Sequence, residues 1–349
     1  MNYSFLNPVK ETLLSIDDKL DRNTVLDNII TLRATLNDKN KGIPEKRIAG
    51  NLLLGTWSIR AMGAGMFEGR MTEALYYIAE IVARYDLIIL QDLKDNHTEL
   101  SNLCRILGDD WGLFTGLIID PASGNREWLA FLYDKRTVTF RNIAIQLVMP
   151  QPEHRSGITA SPYFLRFQSA CFLFDVCSMK LFTGLAAKNT ELYQRRTEEL
   201  AGMTNLLKTE FVEKNECNNL FIFGDFNVPN RHSDRYKAIT GETYRMPESL
   251  LKDNLPGHIG QDRSCAQVIH YNRFNDVTFR KAGTFNYFDV VFDNYKTYAK
   301  RARKHSAKVT SQKTFDEFKT YQMSDHLPIW IEMNTDHAEN YLQLLKTKD

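Results

Sequence analysis

Apolar residues recur at helical spacing near the start of the chain: Leu13, Leu14, Ile16 and Leu20, then Val25, Ile29, Ile30, Leu32 and Leu36. Positions three and four apart share a helix face, so two amphipathic helices are predicted over residues 8–38, broken near Asp21-Arg22-Asn23. A polar connection over 37–46, with Gly42 and Pro44, precedes a different rhythm. Short apolar runs bounded by polar residues predict strands at 52–54, 87–91, 129–133, 138–140, 164–167, 172–176, 179–182, 220–223, 288–292 and 329–333. Helical spacing returns at 72–84, 98–107 and 192–211, whereas 230–275 is polar and loop-rich. Asp134-Lys135-Arg136 reads as the turn of a hairpin between 129–133 and 138–140, so antiparallel neighbours are expected to dominate. Strands mixed with helices in this way predict a layered α/β protein. No internal repeat or low-complexity tract divides the chain. The expected organisation is an N-terminal helical extension over 1–50, one domain over 51–335 and a C-terminal tail over 336–349.

Composition narrows the class without naming a partner. With 43% hydrophobic and 25% charged residues, the 349-residue chain is an ordinary globular protein with ample core material. The net charge of +1 leaves any nucleic-acid footprint to a local patch. One such patch exists. Residues 296–308 carry six positive charges and no acid, and Lys300, Arg301, Arg303 and Lys304 are its candidate contacts to a phosphate backbone. Five cysteines without CxxC spacing point to reduced thiols rather than a zinc site or disulfide framework. No stretch reaches the ~18 apolar residues of a membrane span, and the first residues lack a signal-peptide pattern. A cytoplasmic location without membrane association is therefore expected.

Two segments carry the chemistry. The run Phe223-Gly224-Asp225-Phe226-Asn227 follows the apolar stretch 219–222 and reads as a buried strand opening into a polar loop. Residues two apart on a strand point to one side, so Asp225 and Asn227 can converge on a metal-bound phosphate. Asp325 and His326, in Met323-Ser324-Asp325-His326-Leu327-Pro328, place an acid and an imidazole just before another apolar run. P-loop, GxSxG and zinc-spaced motifs are absent.

Together with Leu90-Gln91-Asp92, these motifs resemble the endonuclease/exonuclease/phosphatase superfamily of the deoxyribonuclease I-like fold, in order and in spacing. Gly124-Asn125-Arg126-Glu127-Trp128-Leu129-Ala130-Phe131-Leu132-Tyr133-Asp134 is similar to a bacterial subgroup that reads GN-x-ERLAFLYD. The resemblance spans residues 51–332, about four-fifths of the chain. It implies a four-layer α/β sandwich, with two mixed, mainly antiparallel sheets packed face to face and helices outside. It also implies a metal-dependent phosphodiester hydrolase, most plausibly a nuclease acting on DNA or RNA with Mg²⁺ or Mn²⁺. In that pattern Asp225 activates or orients water, Asn227 positions oxygens, and Asp92 and Asp325 serve the metal. Asp289 is placed to orient His326, which contacts the phosphoryl group, and Glu127 matches a further family acid.

Four positions depart from the pattern. Ser58 replaces an asparagine in Thr56-Trp57-Ser58-Ile59-Arg60, with shorter reach and without the amide's fixed donor and acceptor. Asp92 replaces a glutamate and withdraws the carboxylate by one methylene. Lys180 stands where the subgroup has a histidine; it can hold phosphate as a point charge or simply pair with Glu127. Trp128 replaces an arginine and with it a bidentate phosphate clamp. These changes point to altered or weakened catalysis. They also keep open a second reading, a catalytically inactive nuclease-like scaffold that binds nucleic acid or a protein partner.

Overall fold

In the strand that begins at Leu52, side chains alternate between two different cores. Leu52 and Leu54 face one way and Leu53, Trp57 and Ile59 the other, all fully buried. Such a strand must be covered on both faces, which requires layers on either side of its sheet. The computed structural model describes residues 1–6, 19–47, 50–119, 124, 126–147, 162–180, 190–214, 216–226, 233–250, 266–273, 277–334 and 346.

Eleven strands are described: β1 (Leu52–Met62), β2 (Leu87–Leu93), β3 (Trp111–Ile119), β4 (Arg126–Asp134), β5 (Thr139–Gln146), β6 (Tyr163–Ser169), β7 (Phe172–Lys180), β8 (Asn219–Asp225), β9 (Ala266–Asn272), β10 (Phe279–Thr284) and β11 (Ile329–Met333). They form a six-stranded sheet in the order β10-β11-β1-β2-β4-β3 and a five-stranded sheet in the order β5-β6-β7-β8-β9. Among the described pairings β1–β2 and β7–β8 are parallel and the others antiparallel. The helices are α1 (Lys19–Leu36), α2 (Thr72–Val82), α3 (Thr98–Leu107), α4 (Glu191–Leu207), α5 (Asp234–Thr240), α6 (Tyr295–His305) and α7 (Gln312–Gln322).

Three cores separate four layers. Leu54, Ile89, Phe131 and Ile331 of one sheet meet Leu165, Phe174, Phe221 and Phe223 of the other. The six-stranded sheet turns Trp57, Ile88 and Leu132 toward residues of α1, α2, α3, α6 and α7. Cys177, Leu220 and Ile222 of the five-stranded sheet pack on Leu200, Met203 and Leu207 of α4 and Ile239 of α5. The predicted sandwich is the observed one. Among the described residues no helix is long and apolar enough to cross a membrane. Cys104, Cys171, Cys177 and Cys217 are free thiols, and Cys265 lies outside the described residues.

Several expectations are corrected. Residues 129–140 are not a hairpin: β4 belongs to one sheet and β5 to the other. β4 is already paired with β2 on one edge and β3 on the other, so no edge remains for β5. Val138 instead crosses the core between the sheets. The run 288–292 forms no strand. Tyr287–Asp289 is a short 3-10 turn, Phe292 has φ 53°, and Tyr287, Val291 and Phe292 fill the helix-facing core. Asp21-Arg22-Asn23 lies inside α1 rather than at a break; the expected preceding helix falls on residues outside those described. The edge strands β3 and β10 escape the apolar pattern because many of their side chains face solvent. Within the supposedly loop-rich 230–275, α5 and β9 are formed.

α1 belongs to the outer helical layer. Val25, Ile29, Leu32 and Leu36 are buried, and Asn28 donates to the hydroxyls of Tyr77 (3.0 Å) and Tyr298 (2.9 Å). The same layer takes one residue out of the basic run. Arg301 is 8% exposed, lies over the Tyr298 ring and pairs with buried Glu73 at 3.2 Å. It is a structural ion pair and not a nucleic-acid contact. Lys300, Arg303 and Lys304 remain exposed on the opposite face of α6.

β9 carries a pH-sensitive element. The His270 ring lies 4.5 Å from that of Phe279, and its Nδ1 is buried without a hydrogen-bond partner. Burial, with Arg245 nearby, pushes its pKa down to about 4. In the unfolded chain the imidazole takes a proton near its ordinary value of about 6.5. The folded state therefore loses up to about 3 kcal/mol of stability as pH falls from about 6.5 to about 4. Denaturant midpoints at pH 7 and pH 4.5 for the native chain and His270→Phe should show a weaker acid loss in the variant. Equal acid losses would remove His270 from this role.

Candidate active site edge

The fold gathers the candidate motifs at one edge of the sandwich. β1 and β2 run parallel and end together, with Ser58 in register with Gln91. β7 and β8 do the same in the other sheet, with Lys180 in register with Asp225. Antiparallel β4 and β11 begin at this edge, so Glu127 and the segment 324–328 arrive there too. Gln91 ties the two sheets: its Nε2 donates to Ser178 Oγ at 3.0 Å, and Ser178 is the register partner of Phe223. Gly224 is required by the close approach of β7, since a Cβ there would stand 2.2 Å from the Met179 carbonyl oxygen. The carboxylate-bearing end of β8 is thereby set against the ends of β1 and β2.

Register shifts interrupt β1 between Ser58 and Met62 and β2 between Leu90 and Leu93. Arg60, Ala61 and Asp92 sit there at φ 31°, 50° and 64°, in a region that costs a non-glycine residue about 1–2 kcal/mol. Bulges of this kind re-aim side chains beside functional sites. Arg70 holds the β1 bulge. Its side chain is 3% exposed and donates to the carbonyls of Ile59 (2.6 Å), Arg60 (3.0 Å) and Gln322 (3.1 Å) and to Glu99 (2.8 Å).

The segment Ser324-Asp325-His326 is fixed by its backbone. Ser324 Oγ donates to the Ser58 carbonyl (2.6 Å) and accepts the His326 N–H (2.9 Å). Trp57 Nε1 donates to the His326 carbonyl at 2.8 Å, and the Tyr287 hydroxyl lies 2.8 Å from the same oxygen. The His326 ring is left partly exposed, with Nδ1 3.1 Å from Asp325 Oδ1. The carboxylate oriented on His326 is thus Asp325, not Asp289. Asp289 is exposed and accepts from Asn286 Nδ2 at 2.8 Å, because the 3-10 turn directs it back onto its own loop. Asp325 also faces Arg60 at 3.6 Å, whose guanidinium stacks 4.0 Å over the Tyr321 ring.

Asp92 and Glu127 meet at a lysine. Lys94 Nζ lies 2.9 Å from Asp92 Oδ1 and 3.1 Å from Glu127 Oε1. Asp92 Oδ2 accepts the Ala61 N–H at 2.9 Å, so both oxygens of the expected metal ligand are engaged. Among the described residues no three His, Cys, Asp or Glu side chains are grouped to hold a metal ion. The Asp92 donor set as it stands does not fit Mg²⁺, which demands oxygen ligands at about 2.0–2.1 Å in near-ideal octahedral geometry. Trp128 donates to Asp95 at 2.8 Å and stacks edge-on against His97, in keeping with a structural role. Ser58 is 4% exposed. Asp225 and Lys180 are placed by their strands alone, and Asn227 lies outside the described residues.

The motifs foretold Asp225, Asp325 and His326 at a common edge, but not Arg60, Arg70 or Lys94. Strand periodicity carried a signal for Lys94, since Asp92 and Lys94 are two apart and share a side. Nothing local marked Arg70, whose partners are mostly remote in sequence.

No family model matches the chain, and no curated protein matches it. Solved structures do. An endonuclease/exonuclease/phosphatase family protein from Bacteroides thetaiotaomicron superposes with a TM-score of 0.53 at 14% identity, covering 82% of this chain and 98% of that one. D. rerio TDP2 in complex with a single-stranded DNA product gives 0.52 at 13% identity, covering 82% and 99%. A mannosyl-6-phosphatase from Bacteroides thetaiotaomicron gives 0.51 at 13% identity, covering 81% and 99%. At this identity the likeness establishes the fold.

Proposed function

We propose that this chain, with the fold of the endonuclease/exonuclease/phosphatase proteins, is a phosphoester hydrolase directed at the phosphodiesters of DNA or RNA. The observation that carries the reading is the fixing of the partly exposed, Asp325-paired His326 at the edge where β8 delivers Asp225. His326 contacts the phosphoryl group, Asp225 accepts or orients the proton of the attacking water, and Arg60 offsets developing negative charge. Asn227 and Ser58 position oxygens. The structural neighbours include a DNA-bound TDP2 and a sugar phosphatase, so the fold leaves the substrate open. Mg²⁺ or Mn²⁺ is the cofactor the resemblance supplies; with Lys94 on Asp92, no step is assigned to it. Lys94 and the turned-away Asp289 favour one second reading, phosphoester binding without turnover.

Cleavage of supercoiled plasmid and of labelled single-stranded DNA and RNA, by the native chain and by Asp225→Ala, separates these readings. Cleavage lost in the variant supports the hydrolase. A folded chain that binds these substrates without cutting them supports the scaffold.

The exposed face of α6 is the proposed track for the polynucleotide. The helix end abuts the loop that carries Arg70, with His305 Nε2 3.0 Å from the Gly69 carbonyl oxygen. Lys300→Glu with Lys304→Glu should weaken binding to a labelled single strand. It should also lower the slope of log affinity against log salt by roughly 1 per lysine removed. An unchanged slope would place the contact elsewhere.

A further inference from the structure

We propose that Lys94 is a built-in cation of this edge, and that its ammonium excludes a divalent ion from the Asp92–Glu127 carboxylate pair. The inference deepens the reading of the edge as a phosphoester site. It concerns a residue that the motifs did not single out.

Three observations carry it. The ammonium spans the two acids at 2.9 and 3.1 Å, with Lys94, Asp92 and Glu127 side chains 33%, 21% and 16% exposed. The lysine is positioned by backbone as well as by charge, because its N–H donates to the Met62 carbonyl at 2.8 Å just past the β2 bulge. The other oxygen of Asp92 is taken by the Ala61 N–H at 2.9 Å, which turns the carboxylate toward the lysine. Two partly desolvated acids drawn to one point attract a cation strongly. A lysine tethered two residues away on the same strand supplies that cation at an effective concentration that dissolved Mg²⁺ does not match. A dication ligated by Asp92 Oδ1 would sit beside the ammonium, so the two exclude one another. The shortening of the family's glutamate to Asp92 is consistent with this arrangement, since the ammonium lies farther from the carboxylate oxygen than a magnesium ion would.

The test uses the full chain without substrate, so its failure and the failure of the hydrolase reading are distinguishable. Mn²⁺ uptake is followed by loss of the free-ion electron paramagnetic resonance signal. Thermal midpoints are read in MgCl₂ or MnCl₂ against KCl of equal ionic strength. The native chain and Lys94→Arg should show no uptake that depends on Asp92 and no saturable midpoint rise. Lys94→Gln should take up Mn²⁺ at least about tenfold more tightly, with a saturable rise in midpoint that is lost in Lys94→Gln/Asp92→Asn. Native uptake abolished by Asp92→Asn would overturn the proposal, as would a folded Lys94→Gln that binds no better than the native chain. If Lys94→Gln does not fold, Lys94→Met and the native-versus-Asp92→Asn comparison carry the same decision.

Discussion

Arg70→Met is expected to destabilise the protein by about 3–5 kcal/mol, the range for breaking a buried ion pair from one side. Methionine keeps much of the apolar stem but removes every donor. The carbonyls of Ile59, Arg60 and Gln322 lose their guanidinium partner, and Glu99, whose side chain is 14% exposed, loses its counter-charge. The Gly63 and Arg70 N–H groups still reach Glu99, which keeps the loss from being larger. Arg70→Lys should recover little, because one ammonium cannot reproduce a planar fork aimed at four acceptors. Arg70 also joins the β1 bulge to the end of α7, just before Ser324, so the remaining folded protein should be a poorer catalyst. Denaturant unfolding of the native chain and both variants measures the effect. A loss under about 1 kcal/mol for Arg70→Met would show that the bulge holds itself.

His326→Gln should separate chemistry from folding. The backbone of His326 is what the fold uses: its carbonyl is held by Trp57 and Tyr287 and its N–H by Ser324. The ring makes its described hydrogen bond to Asp325. Phosphodiester turnover should therefore fall by about 10²–10⁴, the usual contribution of a positioned acid or base. The thermal midpoint should move little. Asp325→Asn should show a smaller fall, since it leaves the imidazole in place but removes its carboxylate and a partner of Arg60. Initial rates and melting curves on the same preparations check both statements. A large drop in midpoint with unchanged turnover in the folded fraction would make His326 a structural residue.

Much of the sandwich is legible in the sequence because its strands bury both faces. The runs at 52–54, 87–91 and 220–223 are apolar throughout, and each became a central strand. Legibility fails where burial comes from a source other than a sheet. Residues 288–292 are apolar because they line the helical layer, and 129–140 contains two strands whose partners lie in different sheets. Charge shows the same limit. Arg301 looks like its neighbours in the basic run, and only Glu73, arriving from α2, turns it into a buried pair. The site follows suit. Motif order brings Asp225 and His326 to one edge. The choice of Asp325 over Asp289 as the acid on His326 depends on a loop turn held by Asn286. Lys94 was within reach of strand periodicity, but its second partner, Glu127, comes from β4.

The most direct test of the account is hydrolysis of a small diester, bis(4-nitrophenyl) phosphate, because it reports on the edge without polynucleotide recognition. The native chain and the Lys300→Glu/Lys304→Glu variant should release nitrophenolate at equal rates above buffer, and Asp225→Ala should not. Equal release by the native chain and Asp225→Ala, or no release by the folded native chain, would contradict the placement of phosphoester hydrolysis at this edge.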